Sequence, residues 1–174
     1  LNNTTASYNT AVGFQAAYSL QTSSSHVAIG SQALYEYNNT TPGNIAIGDG
    51  AMFSVNHAAG SNIAIGLGAM RGVSATGTGN IAIGQGVMYP LTTGGNNVIV
   101  GGFDGVNTPA GRYLDTGSYN SVLGTSALAN ATSASYNTAL GTFALYYNTT
   151  ADNNRSEEHT SELQSRPHIS YAVF

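Results

Sequence analysis

The stretch NIAIGLGAM, residues 62–70, decides the fold of this chain, because close copies of it recur along the sequence. Eight units align on the glycine that follows the first apolar residues. Successive aligned glycines are 17, 18, 18, 18, 17, 23 and 17 residues apart. A disordered low-complexity chain has no reason to keep such a register. The aligned glycines are Gly13, Gly30, Gly48, Gly66, Gly84, Gly101, Gly124 and Gly141.

Each unit begins with a short predicted strand. Four residues such as Asn62–Ile65 are too few for a helix, and Ile and Val are typical of strands. Successive side chains of a strand point to opposite faces, so Ile63 and Ile65 share one face. Asn62 and Ala64 share the other. We expect the Ile pairs to lie inside the fold and to stack in columns from one unit to the next.

The repeat predicts an all-β fold, a parallel β-solenoid or β-roll of about eight coils over residues 1–154. Seventeen or eighteen residues supply two short strands and two turns, which is one coil. Ala69 and Met70 begin the second strand of their unit. At about 4.8 Å per coil, eight coils would form a rod about 38 Å long.

Composition excludes several functions. Residues 1–154 contain five acidic residues, two arginines and no lysine, a net charge of −3. Nucleic-acid binding needs clustered Lys and Arg, so we expect no nucleic-acid partner. Cysteine is absent, which removes disulfides and thiolate sites. No apolar run approaches the ~18 residues that span a bilayer, so we expect no membrane contact in this segment.

The last 20 residues, 155–174, lack the repeat register and hold five of the twelve charged residues. The strings RSEEHTSELQS (residues 155–165) and ISYAVF (residues 169–174) resemble the translation of a short-read sequencing adapter. We therefore expect a non-native tail that packs on nothing and carries no function. We also expect the native sequence to continue differently after Asn154.

A row of small residues occupies the face of the strands opposite the isoleucines. Ala46, Ala64 and Ala82 hold this position in three successive units. A strand that is apolar on both faces is usually buried on both. With the isoleucines inside, we expect this alanine row to pack against other copies of the chain as a trimer interface.

The repeats resemble those of two families. NIAIGDGAM (residues 44–52) and its siblings resemble repeats in the head domains of trimeric autotransporter adhesins. YNTALGTFALYYNTTA (residues 136–151) resembles repeats of phage tail-fibre-type proteins. The resemblance covers about residues 7–150, with coils several residues longer than the commonest adhesin head coil. It implies a left-handed β-roll in a homotrimer, located outside the cell on a bacterial surface or a virion, and an adhesive or structural role.

One interval breaks the repeat. The segment between Gly101 and Gly124 is about six residues longer than one coil requires, and it concentrates aromatic and charged residues. Such a loop on a rigid scaffold suits contact with a host glycan or protein, although a tolerated surface insertion would look similar. The candidate contact residues are Phe103, Asp104, Arg112, Tyr113, Asp115 and Tyr119.

The sequence predicts no catalytic, cofactor-binding or metal-binding residues, and therefore a protein that is not an enzyme. The alternative function is a polysaccharide-cleaving solenoid enzyme, which needs two carboxylates about 5–10 Å apart. Asp104 and Asp115 are the one candidate pair. Asp49 stands alone in its turn position, which disfavours a bound calcium ion. His26 replaces the asparagine that begins the other units, and we expect it to occupy a corner of its coil.

Overall fold

The computed structural model describes residues 5–37, 41–54, 60–72, 77–90, 93–103 and 105–157. Over these residues the predicted β-solenoid is confirmed. Nine three-residue strands form one parallel sheet, and each strand pairs with the next in the sequence. The strands are β1 (Thr10–Val12), β2 (Val27–Ile29), β3 (Ile45–Ile47), β4 (Ile63–Ile65), β5 (Ile81–Ile83), β6 (Val98–Val100), β7 (Ser121–Leu123), β8 (Thr138–Leu140) and β9 (Arg155–Glu157). Each coil is numbered by its strand.

The predicted stacking of the isoleucines is confirmed. Ile63 pairs with Ile45 on one side and with Ile81 on the other, in one continuous column. The second isoleucine of each strand forms a parallel column in the same register. The repeat spacing therefore predicts the strand register correctly.

The predicted orientation of the strands is wrong. Ala46, Ala64 and Ala82 have no exposed surface and lie in the core, whereas Ile63 and Ile65 on either side of Ala64 are half-buried and point outward. A three-residue strand points its central side chain to the face opposite the other two. The interior also holds the large Met70 side chain, so the small Ala64 side chain fits there. The alanine row is thus part of the interior of a single chain and cannot be the surface that contacts other chains.

In coils 2 to 5 the interior holds the central alanine of the strand and a larger residue four places after the aligned glycine. In coil 5 these are Ala82 and Met88, both fully buried. In coil 6 the sizes are exchanged: Ile99 fills the strand position, and a Cβ added to Gly111 would collide with the Ile99 Cδ1 atom. A large and a small residue thus exchange places between coils 5 and 6, as close packing of one shared interior requires.

The second segment of each coil is a series of turns, not the predicted strand. Gly50 and Met52 have φ values of 59° and 50°, in the left-handed region. Residues in that region prevent an extended backbone. The coils still hydrogen-bond on this side, because Met52 N donates to Ala69 O (3.0 Å) and Met70 N donates to Val87 O (2.9 Å).

The aligned glycines allow close approach between coils. Gly66 has a φ of +132°, and a Cβ at this position would lie 2.6 Å from Gly84 O in the next coil. A side chain therefore fits neither the backbone angle nor the space. This requirement explains why the glycine repeats in coils of different composition.

A ladder of buried asparagines runs along the interior, just before each strand. Asn62 N donates to Asn44 Oδ1 (2.9 Å), and Asn80 N donates to Asn62 Oδ1 (2.8 Å). The same bond links the later coils as far as Asn154. Among the described residues, no buried side-chain nitrogen or oxygen lacks a hydrogen-bond partner. The ladder thus lets a polar side chain repeat in the core.

The first three residues of the tail extend the sheet, which corrects the prediction that the tail packs on nothing. Arg155–Glu157 forms β9, which pairs in parallel with β8. Asn154 N continues the ladder by donating to Asn137 Oδ1 (2.9 Å). Parallel pairing uses backbone groups, so it accepts residues that do not match the repeat. Residues 158–174 lie outside the described part of the chain.

Candidate ligand-binding site

The insertion in coil 6 is tied to the coils on either side. Phe103 N donates to Gln85 O (3.2 Å) in coil 5, and Gly111 N donates to Ala127 O (3.0 Å) in coil 7. After the second anchor the chain has rejoined the repeat. Arg112 therefore takes the place that lies five residues after the aligned glycine in the regular coils.

That place forms a column of aromatic and arginine side chains along the solenoid. Its members in coils 1 to 6 are Tyr18, Tyr35, Phe53, Arg71, Tyr89 and Arg112. The first three rings stack at centroid distances of 5.3 and 5.0 Å. Arg71 Cζ lies 4.9 Å from the Phe53 ring centroid, and Arg112 Cζ lies 5.1 Å from that of Tyr89. Both guanidinium groups are thus held by cation–π contact.

A cleft of about 410 Å³ opens beside Arg112, between the insertion and coil 5. We call it the Arg112 cleft. Phe103 and Tyr113 contribute aromatic rings that are 41% and 47% exposed. Amide and hydroxyl groups of the lining come from Gln85, Asn107 and Thr108. This combination of a cation, rings and hydrogen-bonding groups can orient a polar ligand of small-molecule size.

A second cleft, of about 590 Å³, lies on the other side of Tyr113. We call it the Tyr147 cleft. Besides Tyr113 its lining includes Pro90, Asp115, Asn130, Thr132 and Tyr147. The two clefts share the Tyr113 side chain, so a ligand that fills one lies next to the other.

The structure brings together four of the six predicted contact residues. Phe103, Arg112 and Tyr113 line the Arg112 cleft, and Asp115 lines the Tyr147 cleft. Tyr119 lines neither cleft; it stacks on Tyr136 with a centroid distance of 5.0 Å. Asp104 lies outside the described residues, so its predicted pairing with Asp115 stays a prediction.

Sequence reasoning missed the residues that neighbouring coils add to the Tyr147 cleft. Pro90, Asn130 and Tyr147 each lie six residues after an aligned glycine. Tyr113 takes the same place in coil 6, because Arg112 precedes it. The repeat spacing thus places Pro90, Asn130 and Tyr147 at equivalent positions in their coils. The insertion conceals that Tyr113 is equivalent to them.

The outward side of the sheet is a second candidate surface. In coils 2 to 6 the two outward positions of every strand are aliphatic, and all are half-buried or exposed. We call this surface the outward strand face. Its members are Val27, Ile29, Ile45, Ile47, Ile63, Ile65, Ile81, Ile83, Val98 and Val100.

His26 is buried in the asparagine ladder, with both ring nitrogens bonded. Asn44 N donates to Nδ1 (3.1 Å), while Nε2 lies 2.7 Å from Ser23 Oγ. Ser23 Oγ donates to Thr41 O (2.7 Å), so Nε2 carries the proton and donates to the hydroxyl. Burial lowers the pKa of His26 from 6.5 to about 4. The neutral ring has a structural role in the ladder, close to its predicted corner position.

The comparisons with known proteins add no assignment. No family model, no curated protein and no solved structure matches the chain. Within the described ranges, His, Asp and Glu side chains do not gather in any group of three that could hold a metal ion. The described residues also contain no helix whose length and hydropathy would allow it to cross a membrane.

Proposed function

We propose that this chain is a segment of a structural or adhesive fibre. In this proposal a homotrimeric solenoid rod presents the clefts of coil 6 to a host-surface glycan or protein. The resemblance of the repeats to adhesin heads and phage tail fibres supports a place outside the cell, on a bacterial surface or a virion. A repeat solenoid with few charges supports a scaffold role.

The outward strand face carries the proposal of a trimer. It is a continuous aliphatic surface over five coils. Its first column ends at the polar residues Thr10, Ser121 and Thr138, and its second column continues through the exposed Val12, Leu123 and Leu140. Monomeric proteins rarely leave an apolar surface of this extent in water. A closed cyclic assembly would cover it on every copy and leave no free interface.

Sedimentation of an outward-face variant tests the assembly. Ile65→Asp places a charge in the proposed contact, where burial without a partner is costly. We expect a trimer for the parent chain and dissociation for Ile65→Asp, with an unchanged circular dichroism spectrum. Leu67→Asp is the matched control, because Leu67 is 51% exposed and Asp49 holds the same place in coil 3.

Two results would contradict the trimer. One is a monomeric parent chain at concentrations where its spectrum shows the folded sheet. The other is a trimer that Ile65→Asp and Leu67→Asp weaken equally, because such a loss would reflect added charge and not the outward strand face.

We propose that the two clefts bind glycans and do not cleave them. Hydrolysis of a glycosidic bond needs two carboxylates that flank the bond. The described lining of the Tyr147 cleft contains one, Asp115, and that of the Arg112 cleft contains none. Binding and hydrolysis measured on one glycan panel separate the two functions. Retention of glycans without chain cleavage is expected, and released reducing ends would favour the enzymatic alternative.

A further inference from the structure

Within residues 1–154, the Lys and Arg side chains are confined to one column of the solenoid. Arg71 and Arg112 are the only Lys or Arg residues among residues 1–154. Arg71 lies five residues after its aligned glycine, and Arg112 takes the equivalent place beyond the insertion. The net charge of that region is −3. A negatively charged group would therefore find its attraction along this column and repulsion elsewhere on the rod.

Of the two arginines, Arg112 alone belongs to a cleft described above. Its Cζ lies 5.1 Å from the Tyr89 ring centroid and 5.9 Å from that of Tyr113, so two rings restrict the guanidinium. A guanidinium held in this way loses little conformational entropy when it binds. The described residues that line the cleft include no carboxylate. A carboxylate supplied by a ligand would complement the charge of Arg112.

We propose that the Arg112 cleft binds a carboxylated sugar residue of a glycan. This inference rests on the proposed function and names the class of ligand. The carboxylate would accept two hydrogen bonds from the guanidinium fork, which matches its planar geometry. The apolar face of the sugar ring would pack on Phe103 or Tyr113, and its hydroxyls would meet the polar side chains of Gln85 and Thr108.

The site is built on rigid elements. Besides the anchors at Phe103 and Gly111, Ser126 Oγ donates to Thr108 O at 2.6 Å. Pro109, on the floor of the insertion, is buried, and a Cβ on Gly86 would lie 3.1 Å from its Cγ atom. Both walls of the cleft are thus fixed to the stacked coils before a ligand arrives, which favours specific binding.

Calorimetric titration of the full 174-residue chain tests the proposal with matched ligands. The carboxylated probes are trigalacturonate and sialyllactose. Their neutral counterparts are methyl-esterified trigalacturonate and lactose. Hexaglutamate tests whether charge alone is sufficient. We expect at least one carboxylated sugar to bind about tenfold or more tightly than its neutral counterpart and hexaglutamate, since a hydrogen bond to a charged group contributes about that much.

The two arginines provide matched variants. Arg112→Gln and Arg71→Gln remove the same charge from the same column, but only the first alters the cleft. We expect Arg112→Gln to weaken binding about tenfold or more and Arg71→Gln to change it less than about twofold. Arg112→Lys keeps the charge without the planar fork, so intermediate binding is expected. Circular dichroism shows whether each variant is folded.

Several results would overturn the inference. They are equal binding of acidic and neutral sugars, equal binding of hexaglutamate, an equal loss in Arg71→Gln and Arg112→Gln, or no binding of either carboxylated probe. Sedimentation of the same samples separates this failure from failure of the proposed function. If the chain is a trimer that binds neutral glycans, the proposed adhesive rod is still supported and only the carboxylated-sugar site is contradicted. If the chain is a monomer that binds no glycan, both proposals are contradicted.

Discussion

Replacing His26 by asparagine should remove a specific pH dependence of stability. In the folded chain the neutral ring accepts the Asn44 N–H at Nδ1 and donates from Nε2 to Ser23 Oγ. Protonation of Nδ1 would eliminate the acceptor for Asn44 N–H and place a charge in the core. An asparagine at this position has the same acceptor that Asn44 itself offers to Asn62 N.

The expected magnitude follows from the pKa of His26, which burial lowers from 6.5 to about 4. As pH falls from 6.5 to 4, the unfolded state binds a proton at His26 and the folded state does not. The free energy of unfolding therefore falls with pH in this window. The contribution of the neutral His26 ring to stability is fully present above pH 6.5. About 3 kcal/mol of it is lost by pH 4, at ~1.4 kcal/mol for each pH unit.

Urea denaturation at several pH values between 7 and 4 measures the effect. Carboxylates titrate in both proteins, so the difference between parent and His26→Asn isolates the histidine. We expect the parent to lose about 3 kcal/mol more than the variant over this range. Hydrogen exchange at the Asn44 amide reports the same event locally. Parallel loss of stability in the two proteins, with no change at this amide, would refute the reasoning.

Two further predictions concern packing between and within coils, both measured by urea denaturation. Gly66→Ala should cost several kcal/mol, because its Cβ would lie 2.6 Å from Gly84 O. Gly68→Ala, with φ +61° and no close contact, should cost only about 1–2 kcal/mol; equal losses would contradict this. Ile99→Ala should cost about 2–5 kcal/mol. Adding Gly111→Met should recover part of that loss, because the double variant has the same small strand residue and large turn residue as coil 5. A double variant that loses the sum of the two single losses would contradict this prediction.

Sequence periodicity could predict the fold because the register of this chain is set by glycine. Gly66 and its equivalents need a positive φ and close approach to the next coil, so their spacing fixes where each strand pairs. The same periodicity could not tell which face of the strand lies inside. Ile63, Ala64 and Ile65 are all apolar, and hydrophobicity alone is consistent with either orientation.

A volume argument would have resolved the orientation, but it depends on the insertion. Ile99 replaces alanine in coil 6, and Gly111 replaces the large residue opposite it. This exchange makes sense only if both positions face the same interior. The unusual length of coil 6 conceals that Gly111 is the equivalent of Met88. Arg112 could be predicted as a contact residue from the composition of the insertion. Its place above the Tyr89 ring could not be predicted, because the insertion also conceals that Arg112 is the equivalent of Tyr89.

The proposed assembly and the proposed binding site use different parts of each coil. The outward strand face belongs to the residues before the aligned glycine, such as Ile63 and Ile65. The clefts belong to residues after it and to the insertion, such as Arg112 and Tyr113. The turn at the glycine separates these two segments, so covering the strands with other copies need not cover the clefts. One short repeat would therefore supply the proposed contact surface in coils 2 to 6, while a single insertion would add the proposed binding site without interrupting the ladder, because Asn120 N still donates to Asn97 Oδ1.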